Sequence, residues 1–317
     1  MLTRREYLAL TANSCTALAL MPRLLAAQEE GVITRPIPST GEPIPIIGLG
    51  SSATFSGAAS SADTEAISAV FQAMVAAGGT VFDTAPGYGR GASEEVAGAV
   101  VNDLGIQEKV FWATKLNVAG FRGGSADPAA ARAQLETSFE RIGRETIDLN
   151  QVHNLGDMAT QLPILREARD QGRLRYIGAT STFKPQYERL EQHMRNDSMD
   201  FIGIDYAVDN TEAEDRIFPI AEEMGIAVMI YMPFGRTRLW NRVAGLEVPA
   251  WAAEFGAESW AQFFLKFAAS HPAVTVVTPA TSKAHHMLDN MAAALGRLPD
   301  EDERRRMVDH VDALPSA

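Results

Sequence analysis

Apolar residues in this chain follow two patterns: short unbroken runs, and longer stretches in which they recur every three or four positions. Ile67, Val70, Phe71 and Met74 follow the longer spacing, which predicts an amphipathic helix over residues 63–77. The short runs are bounded by glycine, proline or polar residues, as buried strands usually are. The predicted strands cover residues 44–49, 80–83, 110–114, 147–152, 174–179, 201–206, 227–231 and 274–278.

A helical pattern follows each predicted strand. After 63–77, the predicted helices cover 93–104 with Ser93 as its cap, a segment starting at 127–128, 157–171, 185–195, 211–224, 257–269 and 283–295, with a further surface helix over 300–311. A small hairpin is predicted around residues 39–41, ahead of the first strand.

Eight strand–helix units without a break in composition predict an α/β protein with a single (β/α)8 TIM barrel. A doubly wound open sheet is the alternative. Such a sheet usually has about six strands and a glycine-rich fingerprint after the first. Residues 48–50 supply two glycines of that fingerprint but not the third.

The N-terminus has the pattern of a twin-arginine export signal. Arg4 and Arg5 precede an apolar stretch over residues 8–21, and Ala26 and Ala27 offer small residues for cleavage. The alternative is an amphipathic N-terminal helix. The pattern predicts a signal over 1–27, a barrel over 28–317, recognition of the precursor by the twin-arginine machinery, and a periplasmic or secreted address. The apolar stretch is too short for a stable membrane span.

Net charge and cysteine content limit the classes of partner and chemistry that the chain can have. The net charge is -12, which argues against nucleic acid or an anionic membrane because both attract a basic surface. The single cysteine, Cys15, falls inside the predicted signal. A mature chain without cysteine has no disulfides, no cysteine-ligated metal and no thiol catalysis.

Four polar residues are predicted to meet at one end of the barrel. Asp83, Lys115 and His153 each follow a predicted strand, and Tyr88 lies between two glycines in the loop after the second. Taken singly, they could be a rim salt bridge, a core histidine and a surface tyrosine. Together they suit proton transfer to a carbonyl oxygen. An ammonium lowers the pKa of a nearby phenol from its usual ~10, and an imidazole can orient the reacting oxygen.

The segments that carry these residues resemble the core motifs of the aldo-keto reductase family. They are residues 82–89, 113–115 and 148–154, and the similarity continues through 172–178, 231–234 and 279–283. By this resemblance Tyr88 is the general acid and base, Asp83 and Lys115 tune it, and His153 orients the carbonyl of an aldehyde or ketone substrate. The resemblance also implies a hairpin that plugs the bottom of the barrel.

The resemblance further implies a cofactor, NADP(H) in preference to NAD(H), bound across the C-terminal face. Tyr231 matches the residue that stacks on the nicotinamide, and Thr180 and Ser181 match the pair that contacts its carboxamide. The remaining cofactor contacts expected are Pro233, Phe234, Arg236, Thr281, Ser282, Lys283, His286 and Asn290, with Arg238 as a second candidate for the pyrophosphate.

The chain departs from the family pattern at several cofactor positions. Gly203 stands where the family usually has a glutamine that holds the carboxamide. His286 replaces a frequent arginine, and Asp289 replaces a common glutamate. Arg236 and Arg238 could also be solvated loop charges.

Three aromatic residues, Phe55, Phe121 and Trp240, are expected over an apolar substrate pocket. An alternative to catalysis is a nucleotide-sensing binding protein on the same barrel. A metal-dependent hydrolase is disfavoured, since His153 has no partner histidine at ligand spacing and the adjacent His285 and His286 face apart on a helix. No metal site is therefore expected.

Overall fold

A computed structural model describes residues 31–120 and 123–315. The predicted export signal, its Cys15 and the loop residue Phe121 lie outside the described residues.

The described chain begins with a hairpin and continues into an eight-stranded parallel sheet. Strands β1 (Thr34–Pro36) and β2 (Pro43–Pro45) pair antiparallel around residues 39–41, as predicted. The sheet strands follow in spatial order along the chain. They are β3 (Leu49–Gly50), β4 (Val81–Asp83), β5 (Phe111–Leu116), β6 (Ile147–Val152), β7 (Leu174–Ser181), β8 (Phe201–Asp205), β9 (Ala227–Tyr231) and β10 (Val274–Val277).

Parallel bridges between the first and last strands close this sheet into a barrel. Ile47 pairs with Val277 and Gly50 with Ala280, and the Gly48 amide donates to the Val277 carbonyl at 2.9 Å. The (β/α)8 prediction is thus confirmed, and the open-sheet alternative is wrong.

One or more helices follow each sheet strand, and the last two helices come after β10. They are α1 (Thr54–Ser60), α2 (Thr64–Ala76), α3 (Ala92–Asp103), α4 (Pro128–Ile142), α5 (Met158–Asp170), α6 (Tyr187–Asn196), α7 (Ala213–Arg216), α8 (Phe218–Met224), α9 (Arg238–Arg242), α10 (Trp260–Ser270), α11 (Ala284–Ala292) and α12 (Glu301–Asp312). Asp63 and Asp127 cap α2 and α4 through side-chain hydrogen bonds, and Asp300 with Glu303 forms a capping box on α12.

The barrel interior is filled from below. Ile37 and Ile44 of the hairpin are buried against inward-facing strand residues, so the hairpin plugs the N-terminal end of the barrel as expected. The strand residues of this inner core are Val81, Phe111, Ala113, Leu149, Tyr176, Phe201, Ala227, Met229 and Val276. Because the lower half is packed with side chains, the large cavity of the barrel lies at the upper end.

Several local predictions were wrong. The helix predicted over 211–224 is divided into α7 and α8, because Pro219 lacks the N–H needed to continue the helical ladder. Ser93 is not the cap of α3. Gly91 holds that position with φ 100°, and the buried Ser93 hydroxyl accepts a hydrogen bond from Thr84 instead.

Candidate active site

The upper end of the barrel holds a buried ion pair. Lys115 on β5 and Asp83 at the end of β4 lie on adjacent strands, which brings their side chains together. The Lys115 ammonium contacts both Asp83 carboxylate oxygens, at 2.8 and 2.9 Å, and donates to the Thr84 carbonyl at 2.7 Å. The side chains are only 1% and 4% exposed. Three acceptors thus fix the lysine in one position.

Tyr88 lies over this pair because of the turn that carries it. Gly89, Arg90 and Gly91 all have positive φ, at 59°, 58° and 100°. A Cβ at Gly89 would lie 2.5 Å from the Ser60 hydroxyl, so only glycine fits that approach. The turn places the Tyr88 ring with its centroid 5.2 Å from the Lys115 nitrogen.

His153 approaches Tyr88 from the end of β6. The two rings lie 6.0 Å apart at an angle of 81°. The chain turns sharply after His153, since Asn154 and Leu155 have φ of 56° and 51°. The Asn154 amide donates to the Thr180 hydroxyl at 3.0 Å, which ties this turn to the end of β7. The structure thus brings Asp83, Tyr88, Lys115 and His153 together.

Burial and the charges of neighbouring groups together set the pKa values of these residues. Burial lowers the Lys115 pKa, but the Asp83 carboxylate and Tyr88 outweigh it and raise the pKa above its ordinary value, so the ammonium stays charged. Burial, reinforced by Lys115, lowers the pKa of His153 to about 3, so its imidazole is neutral near pH 7.

Tyr88 differs from the sequence expectation. Burial raises its pKa above the ordinary value, and the opposing influence of Lys115 is smaller. The sequence shows the lysine but not how deeply the phenol is buried. In the structure as described, Tyr88 is therefore a protonated phenol near neutrality.

A cavity of about 890 Å³ opens above these residues and runs toward α11. All four side chains line it. So do ten of the eleven residues expected to contact a cofactor: Thr180, Tyr231, Pro233, Phe234, Arg236, Thr281, Ser282, Lys283, His286 and Asn290. The eleventh, Ser181, does not, because it is fully buried and its hydroxyl donates to Gln186 at 2.9 Å.

Only some of the arginine and aromatic residues predicted near the site line the cavity. Arg236 lines the cavity, whereas Arg238 turns away to form a bidentate ion pair with Asp209. Trp240 also lines the cavity, as expected. The prediction for Phe55 is wrong. It is fully buried on α1, with its ring 5.2 Å from that of Phe82.

Two contributors were not found from the sequence. Gln151 donates to the Tyr231 hydroxyl at 2.9 Å, and that hydroxyl donates to Asp83 at 3.1 Å. Along β6 and its C-terminal end, Leu149, Gln151 and His153 are spaced two apart, so their side chains lie on the same face. The polar Gln151 on the face of the inward Leu149 could therefore have been predicted to reach the site. The contact between Tyr231 and Asp83 joins residues 148 positions apart and leaves no local pattern.

In residues 31–120 and 123–315 no group of three or more histidine, cysteine or acidic side chains is arranged to hold a metal ion. Across the same part of the chain, no helix has both the length and the apolar character needed to cross a membrane.

Solved structures share this fold. An aldo-keto reductase from Klebsiella pneumoniae in complex with NADPH superposes with a TM-score of 0.72 at 22% identity, over 88% of this chain and 95% of that one. The holo form of an aldo-keto reductase from Bacillus halodurans gives 0.70 at 18% identity, over 90% and 97%.

Sequence comparison reaches a characterised relative and a family. An NADH-specific methylglyoxal reductase from Escherichia coli (strain K12) is 25% identical over 191 residues, which is 54% of this chain and 57% of that protein. The match thus spans little more than half of the relative's length. Since the model of the Aldo/keto reductase family matches residues 46–310, the chain belongs to that family, and the prediction of the family is confirmed.

Proposed function

We propose that this protein is an NAD(P)(H)-dependent oxidoreductase that interconverts an aldehyde or ketone and its alcohol, with Tyr88 as general acid and base. The observation that carries the proposal is the convergence of Tyr88, Lys115 and His153 on one cavity. Its volume of about 890 Å³ lies near the upper end of the range for small-molecule and cofactor sites.

The residues of the cavity fit a dinucleotide. Helix α11 starts there without a side-chain cap on its first amides, and such a helix start attracts phosphate. Lys283 and Arg236 add positive charge, and Thr281 and Asn290 add polar groups. A bound nicotinamide would supply or accept the hydride, while the protein supplies position and the proton.

NADP(H) is proposed over NAD(H) because Lys283 can meet a 2'-phosphate. His286 beside it contributes little charge near neutrality, since burial, His285 and Lys283 all lower its pKa. Relatives point both ways, because one solved structure holds NADPH and one sequence relative is NADH-specific.

In the reduction, the phenol of Tyr88 gives its proton to the carbonyl oxygen, and the Lys115 ammonium stabilises the phenolate that remains. The neutral His153 can donate one hydrogen bond to the same oxygen and so orient it. A raised Tyr88 pKa suits this direction, because the proton donor is present at neutral pH. The reverse reaction needs the phenolate and is favoured at higher pH.

The test is titration of the purified mature chain with NADPH and NADH by fluorescence, followed by aldehyde turnover in wild type and Tyr88→Phe. We expect tight binding of at least one nucleotide and a loss of turnover of about 10²–10⁴-fold, the usual contribution of a general acid. Tyr176→Phe, a tyrosine at the opposite end of the barrel, is the matched control. Binding with turnover indifferent to Tyr88 would favour the nucleotide-sensing alternative.

The proposed address outside the cytoplasm rests on Arg4 and Arg5. Free pyridine nucleotide is scarce there, so the proposal includes cofactor bound before export and retained. Cell fractionation should find wild type in the periplasm and an Arg4→Lys, Arg5→Lys double variant in the cytoplasm. Cofactor-free wild type from the periplasm would contradict the retained cofactor.

A further inference from the structure

The ring of Tyr231 lies in a space that exists because residue 203 has no side chain. A Cβ placed at Gly203 would lie 2.3 Å from Cε2 of Tyr231 and 2.8 Å from its hydroxyl. Such distances are far inside van der Waals contact. Gly203 and Tyr231 lie on the adjacent strands β8 and β9, so the absence of a side chain at Gly203 leaves room for the Tyr231 ring to pack against the β8 backbone.

This position brings the Tyr231 hydroxyl to the buried ion pair. It donates to Asp83 Oδ1 at 3.1 Å and accepts from Gln151 Nε2 at 2.9 Å. The Lys115 nitrogen lies 5.0 Å from the ring centroid, within cation–π range. Asp83 Oδ1 therefore receives two donors, Lys115 from one strand and Tyr231 from another.

We propose that Tyr231 is a positioning residue that, through its hydrogen bond to Asp83, holds the Asp83–Lys115 pair in register with Tyr88, and that Gly203 makes this contact possible. The kinetic part of this inference rests on the proposed function, whereas the structural part does not.

The hydroxyl is suited to a permanent donor role. Burial raises the pKa of Tyr231 well above its ordinary value, and the Asp83 carboxylate and Tyr88 add to the effect. The phenol of Tyr231 therefore keeps its proton near neutral pH. Tyr231→Phe keeps the ring and its packing but removes the donor, so that substitution separates the hydrogen bond from the shape.

Loss of the donor has a defined electrostatic sign. The hydroxyl hydrogen partly offsets the negative charge of Asp83, and that charge raises the pKa of Tyr88. Without this hydrogen, less of the Asp83 charge is offset, although Lys115 still contacts both carboxylate oxygens, and the Tyr88 pKa moves further up. The charged or titratable groups around Tyr88 and Tyr231 are Asp83, Lys115, His153 and Arg236.

The experiment compares wild type, Tyr231→Phe and Gly203→Ala, with Tyr176→Phe as the control phenol. The pH profile of kcat/KM is measured for carbonyl reduction. We expect Tyr231→Phe to lower kcat/KM by about tenfold, the effect of one hydrogen bond to a charged group, and to move its alkaline fall to higher pH. Gly203→Ala should also move the alkaline fall of kcat/KM, because the new methyl group displaces the Tyr231 ring. The same substitution should raise KM for the nucleotide. Tyr176→Phe should leave the profile unchanged.

A second measurement does not depend on activity. The ultraviolet absorbance of phenolate is titrated in each protein and in its Tyr88→Phe partner, and the difference reports Tyr88 alone. An upward shift in Tyr231→Phe supports the inference even if no carbonyl compound is turned over, an outcome that would reject only the proposed function. A Tyr88 titration that is the same in wild type and Tyr231→Phe would overturn the inference, whatever Gly203→Ala does.

Discussion

The two ends of the barrel carry similar groups in different surroundings. At the upper end, the Asp83 carboxylate accepts from Lys115 and from the Tyr231 hydroxyl. At the lower end, the Glu42 carboxylate accepts from Arg175 and from the Tyr176 hydroxyl. The lower arginine is 42% exposed and its glutamate 30%, whereas the upper pair is almost fully enclosed.

This difference in solvent exposure gives the two networks different electrostatic properties. At the lower end, water screens the charges, so the cluster chiefly fastens the hairpin to the barrel. At the upper end, screening is lost and every charge is felt by its neighbours, which shifts the pKa values of Tyr88, Lys115 and His153. Burial, more than residue type, distinguishes the charged groups of the upper end from those of the lower end.

The largest contrast should come from removing one cation at each end. Lys115→Met leaves Asp83 buried without its partner, and we expect about 3–5 kcal/mol less unfolding free energy together with loss of carbonyl reduction. Arg175→Met should cost less than Lys115→Met, because Arg175 is 42% exposed and its partner Glu42 is 30% exposed, although its second partner Asp148 is 10% exposed, and it should spare turnover. Urea denaturation and aldehyde turnover measure both. Similar stability losses in the two variants would refute the contrast.

A half-buried histidine lies at each end of the barrel, and the two should affect acid stability alike but turnover differently. Burial, then nearby cations, lowers the pKa of His153 to about 3 and of His271, just before β10, to about 4. Below the ordinary value of 6.5 the unfolded chain takes up protons that the folded chain refuses, so stability falls as pH drops from 7 to 5.

Replacing either histidine by glutamine should therefore reduce that acid sensitivity. Only His153→Gln should also lower kcat/KM. The measurement is urea denaturation of both variants at pH 7 and 5, with turnover at pH 7. Unchanged acid sensitivity in His153→Gln would mean that this imidazole is protonated in the folded chain.

The smallest effect should be the salt dependence of the lower cluster. Glu42→Gln is expected to cost less than about 1 kcal/mol at low ionic strength, because its ion pair is partly exposed. Raising the salt to about 1 M should reduce the difference in unfolding free energy between Glu42→Gln and wild type, since the screening length falls to about 3 Å. Lys115→Met, run alongside, should show a deficit that salt does not change. A gap for Glu42→Gln that persists at high salt would argue that the lower charges are shielded from water.

The sequence predicted those features that depend on neighbouring residues. The strands Ile147–Val152 and Ala227–Tyr231 fall where their apolar runs predict. Asp127 caps α4 with Pro128 in its first turn. The strand-end residues Asp83, Lys115 and His153, with Tyr88 in the loop after Asp83, could be placed together because parallel strands in a barrel share one C-terminal end.

Features that depend on distant residues were missed. Helix α1 carries Phe55 into the outer core, although its small side chains give no helical period. At Gly203 the sequence shows a missing glutamine, whereas the structure shows the space that admits Tyr231. How deeply Tyr88 is buried is likewise a property of the assembled barrel.

The hairpin at the base of the barrel bears on the order of events during turnover. Ile37 and Ile44 seal the lower end with packed side chains, so ligands enter and leave the 890 Å³ cavity through the face above it. Two ligands that enter and leave through the same opening cannot bind and dissociate independently when one lies above the other. A molecule bound at the floor of the cavity must bind before, and leave after, one that lies between it and the opening. A tightly held nucleotide in that deeper position would make its own release the rate-limiting step.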